Sequence, residues 1–155
     1  MKTSVFSMTG LAGSLCMLCG TLYAANASAA SYKSVGNDPA VMYSAPSERG
    51  RKVFIAPRGM PVEVILNQDG WTKVRDATGD LSWMQTKALT AKRNVVVTAA
   101  SAIIYAAPAD TAAAVATAEK NVLLEWQAAA AAGWVKVRHQ DGTSGYVKAS
   151  EIWGE

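Results

Sequence analysis

The sequence predicts an all-β protein: two tandem small β-barrels behind an N-terminal export signal. Three observations carry this expectation. A fifteen-residue phrase is written twice: "GWTKVRDATGDLSWM", Gly70 to Met84, returns as "GWVKVRHQDGTSGYV", Gly133 to Val147. Apolar and β-branched runs of strand length recur, with turn sequences about ten residues apart. The opening residues differ in composition from everything that follows.

That opening segment has the layout of a secretory signal. Lys2 is followed by an apolar stretch from Val5 to about Leu22 and by "AANASAA", Ala24 to Ala30. Ala27 and Ala29 have the spacing that signal peptidase needs. Cleavage is expected after Ala29, with Ala27 and Ala30 as neighbouring choices. The expected division is 1–29 signal peptide, 30–91 first barrel and 92–155 second barrel. The alternative is a retained anchor, but Ser7, Gly10, Gly13, Ser14 and Gly20 punctuate a stretch already near the minimum length for a span. Cys16 and Cys19 both lie in this segment, without the box that precedes a lipidated cysteine. The mature part therefore has no disulfide and no thiol nucleophile. Its expected location is periplasmic or secreted.

The repeat extends along the mature part. "VMYSAPS" at Val41 returns as "IIYAAPA" at Ile103, "MPVEVILNQDGW" at Met60 as "KNVLLEWQAAAAAGW" at Lys120, and "MQTKAL" at Met84 as "VKASEI" at Val147. The offset runs 62, then 60, then 63, and each change falls between the periodic runs, where a loop absorbs it. "PVEVIL" and "NVLLEW" read as strands, and "NQDG" is a hairpin turn. The second copy replaces that turn with "QAAAAAG", expected as a longer loop because five alanines are too few to nucleate a helix. The connection "TAKRNVVVTAAS", Thr90 to Ser101, contains no Pro or Gly run, and its "NVVVT" reads as a strand. A semi-rigid pair of units is expected.

Alternation assigns the faces of the repeated strand. Thr72 and Val74 share one side, as do Val135 and Val137; these small side chains are the core set. Trp71, Lys73 and Arg75 share the other side, as do Trp134, Lys136 and Arg138. Two large aromatics on an outer face call for a partner.

Each copy resembles a bacterial Src-homology-3-like (SH3-like) domain, in the tandem form of exported proteobacterial proteins. The resemblance rests on "YSAPS", "RGMPVEVI", "GWTKVRDATGDLSWM" and "TKAL" in the first copy. In the second it rests on "YAAPAD", "GWVKVR", "DGTSGYV" and "SEIWG". Two positions depart from the family pattern: Ala45 and Ala107 replace a glycine before proline, and Ser82 stands where the second copy keeps Gly145. The resemblance implies a strongly bent five-stranded barrel per copy and binding rather than catalysis. Better-known relatives are appended to wall hydrolases and hold peptidoglycan.

The chemistry-bearing residues agree with binding. His139 is the one histidine, beside a turn with Asp141, and no motif links it to a serine. Scattered carboxylates make no metal-ligand cluster, and Asp76 and Asp80 read as turn caps. No cofactor and no nucleic acid is expected; the mature part carries only a small net positive charge. The candidate ligand-binding residues are aromatic: Tyr43, Trp71 and Trp83, with Tyr105, Trp134 and Tyr146 as counterparts. Such rings suit an extended peptide, or else pack on the neighbouring copy. Trp126 and Trp153 are expected to pack. Arg49, Arg51, Lys52 and Arg58 fall in "SERGRKVFIAPR", expected as one basic loop by the groove, which the second copy lacks. The expected partner is peptidoglycan or an extended segment of an envelope protein. The rivals are a scaffold without wall affinity and, more remotely, a hydrolase using His139.

Overall fold

The computed structural model describes residues 30–155; the expected signal peptide lies outside the described residues. The first copy contains β1 (Ser31–Val35), β2 (Ala40–Tyr43), β3 (Lys52–Ala56), β4 (Pro61–Gln68), β5 (Trp71–Arg75), β6 (Leu81–Gln85) and the short β7 (Leu89–Thr90). The second contains β8 (Asn94–Val97), β9 (Ser101–Tyr105), β10 (Ala114–Glu119), β11 (Leu123–Ala130), β12 (Trp134–Arg138), β13 (Ser144–Lys148) and β14 (Ile152–Trp153). The protein is all-β, with two antiparallel sheets of identical strand order, β3-β2-β6-β5-β4-β1-β7 and β10-β9-β13-β12-β11-β8-β14. Seven strands per sheet arise because the first strand of each copy pairs with a two-residue closing strand after a 3₁₀ turn. Among the described residues no helix is long and apolar enough to cross a membrane.

Each sheet curls around its own core. Val35, Met42, Ala56, Val62, Val74 and Met84 come from six different strands yet form one buried cluster. A flat sheet could not bring them together. Bulges between Val64 and Leu66, and between Met42 and Tyr43, supply part of the bend. The second copy repeats this with Val95, Ile104, Ala118, Leu124, Val137 and Val147. The alternation holds: Thr72, Val74, Val135 and Val137 are all buried.

One core position shows how the copies diverged together. Buried Thr72 bonds Asn67 Oδ1 at 2.7 Å and Thr86 Oγ1 at 2.9 Å. The matching places in the second copy are Val135, Ala129 and Ala149. A hydroxyl in the core is tolerated only with its partners, so all three polar groups go together.

The alanine run departs from the loop expected for it. Ala128, Ala129 and Ala130 pair with Lys136, Val135 and Trp134, and only Ala131–Gly133 form a 3₁₀ turn. Ladder hydrogen bonds to β12 outweigh alanine's poor strand preference. The first copy turns more tightly, with Asp69 and Gly70 both at positive φ (47° and 82°), as a two-residue hairpin requires.

The connection between copies is pinned. β8 forms as expected, but the chain does not run straight from β7; Ala91–Arg93 intervene without regular structure. Asn94 N donates to the buried Ser34 Oγ at 2.9 Å, and Asn94 Nδ2 to Gly59 O at 2.8 Å. The Arg93 guanidinium lies 4.1 Å from the Trp126 ring centroid and 5.8 Å from that of Tyr32. Tyr32 of β1 meets Trp153 of β14 edge-on at 5.2 Å. Trp126 and Trp153 are thus packing residues, and burial raises the Tyr32 phenol above its ordinary pKa.

Gly145 is the most closely approached glycine of the second sheet. A Cβ there would fall 2.5 Å from Tyr105 O and 2.6 Å from Ile104 Cγ2. Gly145→Ala is expected to destabilise the second copy by about 1–3 kcal/mol through overpacking. Urea denaturation of the mature chain checks this; an unchanged midpoint would contradict the close approach.

Candidate functional site

The outer face of β5 and β6 carries an aromatic group assembled from three strands. Trp71 and Lys73 alternate outward on β5, Trp83 outward on β6, and Tyr43 closes the row from β2. Cross-strand pairing places Tyr43 opposite Trp83, and Trp83 opposite Lys73. Tyr43 meets Trp71 edge-on, with centroids 5.3 Å apart and an interplanar angle of 88°. Lys73 Nζ sits 5.9 Å from the Trp83 centroid. Both contacts use the rings' quadrupoles, so the aromatic surface is pre-organised.

The second copy repeats the pair: Tyr105 and Trp134 meet at 5.3 Å and 89°. The expected partner of each outward tryptophan is therefore a tyrosine of its own copy. The copies differ in what covers the pair. Lys148 Nζ lies 5.8 Å from the Trp134 ring and is anchored by Asp110 Oδ1 at 2.6 Å. The Asp110 carboxylate, accepting this hydrogen bond, holds Lys148 above the ordinary lysine pKa. In the first copy the corresponding positions hold a hydrogen bond from the neutral Gln85 to Glu48 in place of the ion pair. Trp134 is only 8 % exposed, and in the first copy it is Tyr43 that is buried, at 9 %, whereas Trp71, Trp83 and Tyr105 are half-buried. This corrects the reading of Trp134 as an outward, available aromatic: it is on the outer face, but its neighbours cover it. Tyr146 is half-buried opposite Tyr105.

Beside Tyr43 the surface sinks into a groove of about 410 Å³ between the β1–β2 turn and the Gln85–Ala88 segment. Asp38 and Lys87 line it with Tyr43, so an anionic and a cationic group share one groove. Both were missed as candidates from the sequence. The turn sequence "NDP", Asn37 to Pro39, was the available signal, since a turn beside a strand-end aromatic is a common groove wall.

The basic residues do not form one loop. Arg49 lies in the turn before β3, Arg51 immediately precedes that strand, Lys52 begins it, and Arg58 follows it in the turn to β4. Strand β3 separates the first three from Arg58. Lys52 is the cross-strand partner of Tyr43, which sets it beside the aromatic row that already contains Lys73. Arg58 instead lines a cleft at the junction with Lys92 and Glu125.

His139 has no hydroxyl hydrogen-bonded to it among the described residues. Its Nδ1 lies 3.0 Å from Asp141 Oδ1 within its own turn. The Thr143 N–H and then His139 hold the Asp141 carboxyl below its usual range. Asp76 caps its turn as expected, accepting from Thr78 N at 2.9 Å and Asp80 N at 3.0 Å. Among the described residues no three His, Cys, Asp or Glu side chains converge as metal ligands.

Two predictions come from this geometry. Because Trp134 is covered and Trp71 is not, Trp134→Ala should cost about 3–5 kcal/mol and Trp71→Ala clearly less. Denaturation of the two variants gives the comparison, and equal costs would contradict the difference in cover. The second concerns Glu125, whose carboxylate accepts from Lys92 at 2.8 Å and is thereby held below its ordinary value of 4.5. A depressed carboxyl contributes stability above the unfolded value and loses it as pH falls through the folded one. A ¹³C titration of Glu125 should give a midpoint below 4.5, returning towards 4.5 in Lys92→Ala. A depressed midpoint that survives Lys92→Ala would contradict the assigned cause.

No curated protein matches the sequence. Solved structures with a similar arrangement include NlpC2 and NlpC1 from Trichomonas vaginalis, at 13% and 14% identity, each with a TM-score of 0.38. They also include an NlpC/P60 family protein from Bacillus cereus, at 17% identity and a TM-score of 0.36. The alignments cover 81%, 81% and 79% of this chain and 48%, 46% and 56% of the others, so the chain spans about half their length. The bacterial SH3 domain family matches twice, over residues 36–90 and 98–154. With the repeat, the two sheets of identical order and two matches over more than half of its length, the chain belongs to the bacterial SH3 domain family.

Proposed function

We propose that this protein is an exported, non-catalytic binding module of the cell envelope, periplasmic or secreted. Its ligand is peptidoglycan, whose peptide stem is extended and charged at intervals. The observation that carries this reading is the asymmetry of the two aromatic pairs. The first copy leaves Trp71 and Trp83 half-buried on its outer face, and the groove beside the buried Tyr43 carries Asp38 and Lys87. The second covers its matching tryptophan with the Asp110–Lys148 bridge. Rigid rings bury area at low entropic cost, and paired charges suit a stem bearing amine and carboxylate. Family membership supports binding, since bacterial SH3 domains attached to wall hydrolases hold the wall. The second copy then acts mainly as a support, through the Asn94 and Arg93 contacts at the junction.

The test is co-sedimentation of the mature chain with purified peptidoglycan at low and moderate salt. Bound protein is expected, with affinity falling roughly tenfold in Trp71→Ala and less in Trp134→Phe. Salt sensitivity would show that cationic side chains take part in the contact. Absence of sedimentation at either salt would sink the wall reading and leave an envelope protein segment as the partner.

A further inference from the structure

Strand β3 has the properties of a second recognition surface. It ends its sheet, hydrogen-bonded to β2 alone, so one side offers unpaired N–H and C=O groups. Natural proteins blunt such edges with charge, proline or a bulge, and β3 has Lys52 at its start, a bulge at Val53 and Pro57 just past its end. Here the strand exposes a run of apolar side chains: Val53, Phe54 and Ile55 are 40%, 50% and 66% exposed. The matching residues of β10 are Val115, Ala116 and Thr117, so the large apolar pair Phe54–Ile55 is peculiar to the first copy.

Beside this edge lies a cleft of about 760 Å³, walled by Val53, Phe54, Met60, Leu81 and Ser82, with Leu123 contributed by the second copy. It shares no residue with the groove at Tyr43. Ser82 is 6% exposed, and its buried Oγ has no hydrogen-bond partner. Gly145 takes this position in the second copy, where Val115 Cγ2 would stand only 3.2 Å from a Cβ, so that copy is closed at the same place. In the first copy the flexible Met42 replaces the branched Ile104, and Ser82 fits. A buried hydroxyl without a partner, in the wall of an apolar cleft, is a group left for a ligand.

Charge selects the ligand. Arg49, Arg51 and Lys52 flank the start of β3 and Arg58 its end; none makes a salt bridge among the described residues. Asp76 and Asp80 also line the cleft, but their carboxylates are engaged by Thr78 and the turn's own N–H groups. A second copy of the chain is a poor occupant. Antiparallel pairing of two β3 strands about Phe54 sets Arg58 beside Arg49 and Arg51 of the other copy, and like charges opposite each other destabilise.

We propose that β3 accepts an extended segment of another protein as an added strand. The segment is apolar at its centre, places a side chain in the cleft within reach of Ser82 Oγ, and is acidic at both ends.

The test uses two peptides of about nine residues, each alternating valine and threonine at its centre, one ended by glutamates and the other by lysines. Titration into isotope-labelled mature chain is followed by amide NMR and hydrogen exchange. The glutamate-ended peptide is expected to shift and protect the amides of Val53 to Ile55. The lysine-ended peptide should bind about tenfold more weakly or not at all. Phe54→Ser and Arg58→Gln, both surface changes, should each weaken the first peptide by roughly tenfold. Equal affinity for both peptides would overturn the proposal. So would shifts confined to Tyr43, Trp71 and Trp83, an absence of shifts at roughly millimolar peptide, or sedimentation showing that the chain dimerises through β3 instead. The readout is local to β3, so its failure is separable from failure to bind wall.

Discussion

A unit of about sixty residues cannot bury both faces of a sheet, because its surface is too large for its volume. Each copy therefore has one apolar face and must fold the sheet around that face. Most of the structure depends on this constraint. It is why Val74 and Val137 must be small, since side chains from six strands converge on one space. It is why bulges fall where they do on β3 and β4, at Val53 and Ile65, where the sheet turns its corners. It also dictates that the tryptophans go outside, while flexible or branched residues such as Met42 and Ile104 fill the core. The tryptophans of β5 and β12 have no room within, and their ring-to-tyrosine contacts are a way of settling them on the convex side.

The parts of this arrangement legible in the sequence are those set by local alternation and by repetition. Strand positions, the division of Thr72 and Val74 from Trp71 and Lys73, and the twofold repeat follow from periods of two and of about sixty residues. What was not legible depends on distant chain segments. Ala128 to Ala130 carry no strand signal of their own; β12 recruits them. Nothing local to Trp134 announces that Asp110 and Lys148 will close over it, because that bridge joins residues far apart in sequence. The basic residues looked like one loop because Val53 to Ile55 were read as part of it, whereas the pairing with β2 makes them a strand. Asp38 and Lys87 become neighbours of Tyr43 only when the sheet curls.

The junction shows how two such units become one object. A few directional contacts suffice: the Asn94 amide groups on Ser34 and Gly59, and Arg93 stacked between Trp126 and Tyr32. Ser34 is buried, so the Asn94 N–H satisfies a hydroxyl that would otherwise be stranded. Such contacts fix orientation more than they add stability. Two grooves of the first copy thereby keep a constant relation to the second, which supplies Leu123 to one of them.

The polar triplet of Thr72, Asn67 and Thr86 bears on a hazard common to tandem repeats. Neighbouring copies with near-identical strands can trade them during folding and become trapped in a swapped form. If β5 entered the second sheet, the Thr72 hydroxyl would meet Ala129 and Ala149, with no partner for its hydrogen bond. If β12 entered the first, Val135 would leave Asn67 and Thr86 facing a methyl group. The first misplacement strands the buried Thr72 hydroxyl at about 1–3 kcal/mol, whereas in the second the exposed Asn67 keeps water as its partner. One buried hydroxyl thus acts as a proofreading mark, telling β5 which barrel is its own.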